Sequence, residues 1–133
     1  SFIRMAKLAA PLMKDGGALL TVSFYGADRV VENYNLMGPV KAALESSVRY
    51  LAADLADRRI RANTISAGAI RTRAASGIGR FDELLDKVRD RTPAQRLVGI
   101  EDVGRVAAFL ASKAGSSLTG SVVYADGGFH TIA

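Results

Sequence analysis

Apolar residues recur at spacings of three and four through Leu36, Val40, Leu44, Val48, Leu51 and Leu55, the period of a helix with one buried face. The pattern predicts a long helix from about Asn35 to Arg58, with Pro39 in its first turn or two, where a missing N–H is tolerated. A second helical stretch opens the chain, from Ser1-Phe2-Ile3-Arg4-Met5-Ala6-Lys7 through Leu8 and Leu12 to Lys14, and Asp15-Gly16-Gly17 stops it. Ala18 to Ser23 is different: a short, almost unbroken apolar run bounded by a turn, which suits a strand buried on both faces. Ile60 to Ile65 predicts a second strand running into the loop Ser66-Ala67-Gly68-Ala69, and Ser121 to Ala125 a third that ends at Asp126-Gly127-Gly128. Between these two strands come an Ala/Ser/Gly-rich stretch, read as mobile, with weak helical signal to Gly79, a helix from Phe81 to Asp90 ended by Thr92-Pro93, and a helix from Glu101 to Ala111.

No hairpin signal separates the strands, and each crossover holds a helix, so the strands are expected to be parallel with right-handed connections. The fold class is therefore α/β, with about three parallel strands and flanking helices. Open sheets of this kind bind ligands outside the carboxyl ends of their strands. Three exits become candidate sites: Ser23 to Gly26, Ser66 to Arg71, and Asp126 to Phe129.

Composition narrows the class further. The 133 residues are 49% hydrophobic, with a mean hydropathy of +0.14, which fits one globular domain. The longest apolar runs fall short of the roughly 18 to 20 residues of a membrane span and are broken by Lys7, Lys14, Asp54 and Asp57. Absence of cysteine excludes disulfides and thiolate metal sites, no metal site is expected, and with no secretory signal a cytoplasmic setting is the default. The opening residues lack an initiator methionine and read as mid-helix, so the chain is expected to start inside a fold. The net charge of +5 comes from arginines scattered among acids from Arg71 to Arg105, which reads as solvated helix faces and leaves only a weak preference for an acidic partner. Nucleic-acid binding would need a basic stripe with stacking aromatics, and neither is present. His130, the single histidine, reads as a surface residue, and Met5, Met13 and Met37 as core or pocket filler.

The candidate chemistry lies in Asn33-Tyr-Asn-Leu-Met-Gly-Pro-Val-Lys-Ala-Ala-Leu-Glu45. On a helix, seven residues turn about 700°, placing Tyr34 and Lys41 nearly on one line about 10 Å apart. A phenol beside an ammonium is a proton donor whose anion the neighbouring charge stabilises. Such a pair also occurs on ordinary helices, and the spacing alone does not separate the two readings.

The wider sequence does. Asn33 to Glu45, with Arg61-Ala-Asn-Thr-Ile-Ser-Ala-Gly-Ala-Ile-Arg-Thr72, Ala74-Ala-Ser-Gly-Ile78, Glu101-Asp-Val-Gly104 and Asp126-Gly-Gly128, resembles the enoyl-acyl-carrier-protein reductases of the short-chain dehydrogenase/reductase superfamily. The resemblance covers essentially the whole chain, but only the C-terminal half of that family's fold. Its most specific element is Tyr-x6-Lys, since ordinary short-chain dehydrogenases carry Tyr-x3-Lys, and Gly38 stands four residues after Tyr34.

The resemblance implies NADH-dependent reduction of the 2,3 double bond of an enoyl thioester, carried by acyl-carrier protein or CoA, in fatty-acid synthesis. NADPH remains an alternative cofactor. It gives Tyr34 the thioester carbonyl and the enolate, and Lys41 the nicotinamide ribose hydroxyls. Gly68, Ile70, Arg71, Thr72 and Ala74 fall to the cofactor, Ile70 beside the carboxamide and Thr72 donating to phosphate. It also implies a homo-oligomer, tetrameric in the family, and a mobile apolar lid of Ala74, Ala75, Ile78, Phe81, Leu84 and Leu85.

Some positions depart from the family pattern. Ala69 stands where proline is usual, Arg73 where leucine is usual, and Phe24 where many members carry another tyrosine. Tyr25 follows Phe24, but neighbouring residues leave a strand on opposite faces, so Tyr25 is not assigned a catalytic part. The glycine-rich dinucleotide turn is also missing: Gly16-Gly17 precede a strand, and Gly77-x-Gly79 lies in the lid. Residues 1–133 are thus expected to be the catalytic and substrate-binding C-terminal portion of one Rossmann-like domain, without its dinucleotide-binding half and with an open edge on the first strand. Two other readings stay open: a related short-chain reductase acting on carbonyls, which the Tyr-x6-Lys spacing disfavours, and a non-catalytic product that keeps only packing and oligomerisation surfaces.

Overall fold

Ile60–Ala67 forms the central strand of a three-stranded sheet and is buried along nearly its whole length. The computed structural model describes residues 2–70 and 81–133. In chain order the main elements are α1 (Phe2–Ala9), β1 (Gly17–Phe24), α2 (Met37–Asp54), β2 (Ile60–Ala67), α3 (Phe81–Arg91), α4 (Ile100–Ala111) and β3 (Val122–Ala125). The sheet order is β1-β2-β3, and both pairings are parallel, Gly17 opposite Ile60 through Phe24 opposite Ala67, and Thr64 opposite Val122 through Ala67 opposite Ala125. The expected parallel α/β arrangement is therefore present.

Strand alternation distributes β2 between two layers. Ile60 and Ala62 face α1 and α2, joining Ala6, Ala10, Leu19, Val48 and Ala52 in one buried cluster. Arg61 and Asn63 point the other way, toward the chain that follows α4. There Arg61 donates to the carbonyls of Gly115 and Leu118, and Asn63 to that of Leu118. Leu110 of α4 is fully buried, and α4 packs on β1 and β2.

Several elements differ from their expected form. β1 lies at the edge of the sheet, as expected of the first strand, but it is not buried on both faces: only Leu19 and Ser23 of its side chains are buried, while Val22 is 49% exposed. The first helix stops at Ala9 and tightens into a 3-10 turn, Ala10–Leu12, containing Pro11. Expected as one helix to Arg58, the long helix instead ends at Asp54, followed by a 3-10 turn, Ala56–Arg58, and Arg59 at φ 57°. Its start is also later than expected. Asn33 and Asn35 have φ of 62° and 45°, a left-handed backbone that a right-handed helix cannot include, so α2 begins at Met37 and Leu36 and Val40 stay exposed. Met5 and Met37 are likewise exposed, and Met13 alone of the three packs against the core. Of the residues expected to form a lid, Ala74, Ala75 and Ile78 lie outside the described residues, from Arg71 to Arg80, whereas Phe81, Leu84 and Leu85 fall on α3, where Leu85 is buried with Ala69, Val88 and Phe129.

Candidate active site

Tyr34 is not on the helix that carries Lys41. It occupies a turn whose backbone N–H donates to Val31 and whose carbonyl accepts from Met37, between the two left-handed asparagines. The helical phase of seven residues therefore does not relate the two side chains. What brings them to one place is β1: the Tyr34 ring meets Phe24, the last residue of the strand, with centroids 5.2 Å apart, and Lys41 Nζ donates to the carbonyl of Val22 at 3.0 Å. Both reach the last residues of the same strand, Tyr34 from the turn before α2 and Lys41 from the first turns of α2.

Two glycines make this approach possible. A Cβ at Gly26 would lie 2.7 Å from Tyr34 Cδ1 and 2.9 Å from Cε1, and a Cβ at Gly38 would lie 3.0 Å from the Gly26 carbonyl oxygen. The phenol ring thus lies directly on the Gly26 backbone, and the first turn of α2 closes on the same residue. Gly38, noted in the sequence only as a residue that is not lysine, acts here as a spacer. Gly26 could have been found from the sequence as the glycine at the exit of the first strand.

A cavity of about 550 Å³ opens beside the ring, lined by residues 26–35 with Gly38, Pro39 and Ala42. Tyr34 lines it and Lys41 does not. Half-burial raises the Tyr34 phenol above the ordinary tyrosine value, so the group stays protonated, a hydrogen-bond donor, through the neutral and mildly alkaline range.

The exit of β2 lies next to this position, because Ser23 pairs with Ser66 and Phe24 with Ala67. Ser23, Thr64 and Ser66 carry buried hydroxyls without a hydrogen-bond partner among the described residues. Gly68 is close to protein on its own account: its N–H donates to Ala125 at 3.0 Å, and a Cβ there would lie 3.1 Å from Asp126 Cα. Its missing side chain thus makes room for the exit of β3. Ile70 is half-buried. Arg71, Thr72 and Ala74, assigned to cofactor by resemblance, lie outside the described residues, as does Arg73.

At the third exit Asp126, 5% exposed, organises the last turn. Its carboxylate accepts from the backbone N–H groups of Gly128 and His130 at 2.9 and 2.8 Å and stands 2.8 Å from His130 Nδ1. The His130 ring stacks on Tyr124 with centroids 3.8 Å apart. Expected at the surface, His130 is half-buried, for the reason that Asp126 and Tyr124 hold its ring on two sides. Among the described residues no group of three or more His, Cys, Asp or Glu is placed to hold a metal.

The family model described as enoyl-(acyl carrier protein) reductase matches residues 1–130. The chain belongs to this reductase family. It is 51% identical over 132 residues to enoyl-[acyl-carrier-protein] reductase [NADH] 1 of Rhizobium meliloti (strain 1021), a match covering 99% of this chain and 48% of that protein. To the NADH enoyl-[acyl-carrier-protein] reductase FabI of Escherichia coli (strain K12) it is 50% identical, over 97% of this chain and 49% of that one. A crystal structure of the Bacillus cereus enoyl-acyl carrier protein reductase with NADP+ and indole naphthyridinone superposes with a TM-score of 0.97 at 43% identity, over 99% of this chain and 51% of that one. The chain therefore spans about half the length of the reductases it matches, and its sheet and helices correspond to part of their Rossmann fold.

Proposed function

We propose that residues 1–133 form the catalytic, C-terminal portion of a cytoplasmic enoyl-acyl-carrier-protein reductase, which reduces the 2,3 double bond of an enoyl thioester with NADH. The observation that carries this reading is the Tyr34 phenol, half-buried, seated on Gly26 and facing a cavity at the carboxyl end of β1. Nicotinamide, when bound, supplies the hydride. As hydride adds to the β carbon, negative charge develops on the thioester oxygen, and a pre-placed phenol O–H can donate to it. The pocket suits that part, because burial keeps the phenol protonated.

Lys41 fits the sugar diol of a nicotinamide nucleotide. An ammonium has three donors, and one of them is spent on Val22, which anchors the group at the strand end and leaves two N–H bonds for ribose hydroxyls. Gly68, Ile70, Arg71, Thr72 and Ala74 are proposed to follow the same cofactor. The relatives named above are NADH reductases and the Bacillus cereus structure holds NADP+, which supports a nicotinamide nucleotide and favours NADH. Binding on the adenine side would come from an amino-terminal half, paired along the open edge of β1. Homo-oligomerisation, as a tetramer, is proposed from the family together with the exposed Ile3, Leu8, Leu12 and Tyr50 on α1, the turn after it and α2.

The test joins this chain to an amino-terminal half of the family and follows NADH oxidation with a 2-enoyl thioester. Tyr34→Phe removes the donor and is expected to lower kcat by about 100-fold or more. Full activity in that variant would overturn the assignment.

A further inference from the structure

The aromatic residues near Tyr34 form a continuous row. Tyr34 meets Phe24 with centroids 5.2 Å apart and planes at 63°; Phe24 meets Tyr25 at 4.5 Å and 65°; Tyr25 meets Phe129 at 5.2 Å and 76°. All three are edge-to-face contacts in the range where ring quadrupoles attract. Successive strand residues ordinarily leave on opposite faces, which would part Tyr25 from Phe24. The 3-10 turn Tyr25–Ala27 starts at this point, and the chain twists enough for the two rings to touch.

The far end of the row is fixed in the protein. Phe129 is 5% exposed and shares a buried cluster with Ala69, Leu85 and Val88, against which Tyr25 also packs. Arg91, the last residue of α3, stands 6.0 Å from the centre of the Phe129 ring and donates to the carbonyl of Ile132 at 2.9 Å. The near end is Tyr34, in a turn outside any regular element, where the direction of the ring depends on what it leans against. Neither Tyr25 nor Phe129 lines the cavity.

We propose that Tyr25 and Phe129 are positioning residues: Phe129 backs Tyr25, Tyr25 backs Phe24, and the row so holds the Tyr34 phenol in the orientation that the reaction uses. This rests on the proposed role of Tyr34. It makes the site depend on the last turn of the chain, residues 126–132, which is remote in sequence from Tyr-x6-Lys. It also gives Phe24, where many family members carry tyrosine, a packing role that needs no hydroxyl.

Two measurements test it together. In the chain itself, tyrosines labelled with carbon-13 at Cζ are titrated by NMR, with Tyr34→Phe identifying the Tyr34 signal. In the protein joined to its amino-terminal half, kcat and the KM for NADH are measured. Tyr25→Ala is expected to shift the Tyr34 signal and bring its titration closer to that of an ordinary tyrosine, and to lower kcat about 10-fold with KM for NADH changed by less than about twofold. Tyr25→Phe keeps the ring and is expected to restore both. Phe129→Leu is expected to move both readings in the same direction as Tyr25→Ala. Should Tyr25→Ala not fold, Tyr25→Leu keeps the bulk without the ring and faces the same two readings. A folded Tyr25→Ala or Tyr25→Leu with unchanged Tyr34 titration and unchanged kcat would overturn the proposal, as would a Tyr25→Phe variant as impaired as alanine. Full activity in Tyr34→Phe sinks the catalytic assignment, while the NMR readings still report whether the brace exists.

Discussion

Replacing Asn63 by alanine removes the side chain that ties the centre of the sheet to the connection leading into β3. Asn63 is fully buried. Its Nδ2 donates to the Leu118 carbonyl at 2.8 Å, and its Oδ1 accepts from the Ser121 N–H at 3.1 Å. The two losses are unequal. The Leu118 carbonyl keeps a bond from Arg61 Nη1 at 3.1 Å, so only the net value of one hydrogen bond is lost there, about 1 kcal/mol. Among the described residues no other side chain serves the Ser121 N–H, and leaving it short of a partner costs about 1 to 3 kcal/mol. The space vacated by the amide adds a further fraction of a kcal/mol at roughly 24 cal/mol per Å³ of cavity. Together these give about 3 kcal/mol, which for a domain of this size lowers Tm by about 10 °C. The fold should survive, because Gly120 N–H still donates to Ala62 and Ala62 N–H to Thr119 Oγ1. Urea unfolding followed by circular dichroism measures the loss. Asn63→Asp is expected to lose more than alanine, since it sets a second oxygen against the Leu118 carbonyl. A loss below about 0.5 kcal/mol for alanine, the scatter of an ordinary surface change, would refute the reasoning.

Gly26→Ala places a methyl 2.7 Å from the Tyr34 ring, about 1 Å inside contact distance. Because φ at Gly26 is not positive, the effect is steric, and kcat in the joined protein should fall about 10- to 100-fold; an active, folded variant with an unmoved Tyr34 signal would contradict the seating of that ring. Ser66→Ala removes a buried hydroxyl that has no partner among the described residues and should leave stability unchanged or raise it by about 1 kcal/mol, read from the urea midpoint; a loss of more than about 1 kcal/mol would show that the hydroxyl is bonded. Asp102 is held down to about 2, first by its bond from Arg96 and then by the Gly99 N–H at the start of α4. Its folded value lies below its ordinary 3.8, so its contribution is complete above that pH and is lost as pH falls toward about 2. Asp102→Ala should therefore flatten the pH dependence of stability in that window, and an unaltered slope would exclude the cap.

The element types were legible because they are written in local periods. Leu44, Val48, Leu51 and Leu55 mark a helix, and the apolar run at Ala18 to Ser23 marks a strand, whatever surrounds them. Parallel order followed from a helix in every crossover. The candidate chemistry was legible in part: a tyrosine and a lysine at a fixed spacing, with family motifs on either side, pointed to Tyr34 and Lys41 without showing what each leans on. A helical phase was the wrong device for that. Two asparagines in left-handed backbone keep Tyr34 off the helix, and both side chains instead contact the last residues of β1, Tyr34 at Phe24 and Lys41 at Val22.

By itself, then, the sequence determined the kind of fold, the parallel order of its strands, the family, and which residues are candidates for chemistry. Tertiary structure decided that much of β1 is exposed, that the Gly26 backbone is the seat of the Tyr34 ring, that Gly68 faces Asp126, and that Phe129 reaches Tyr34 through Tyr25 and Phe24. The division has a physical cause. Turn chemistry and hydrophobic period act over a few residues and can be read along the chain, whereas a ring against a backbone, or a buried carboxylate over a histidine, depends on segments that become neighbours only once the sheet has assembled.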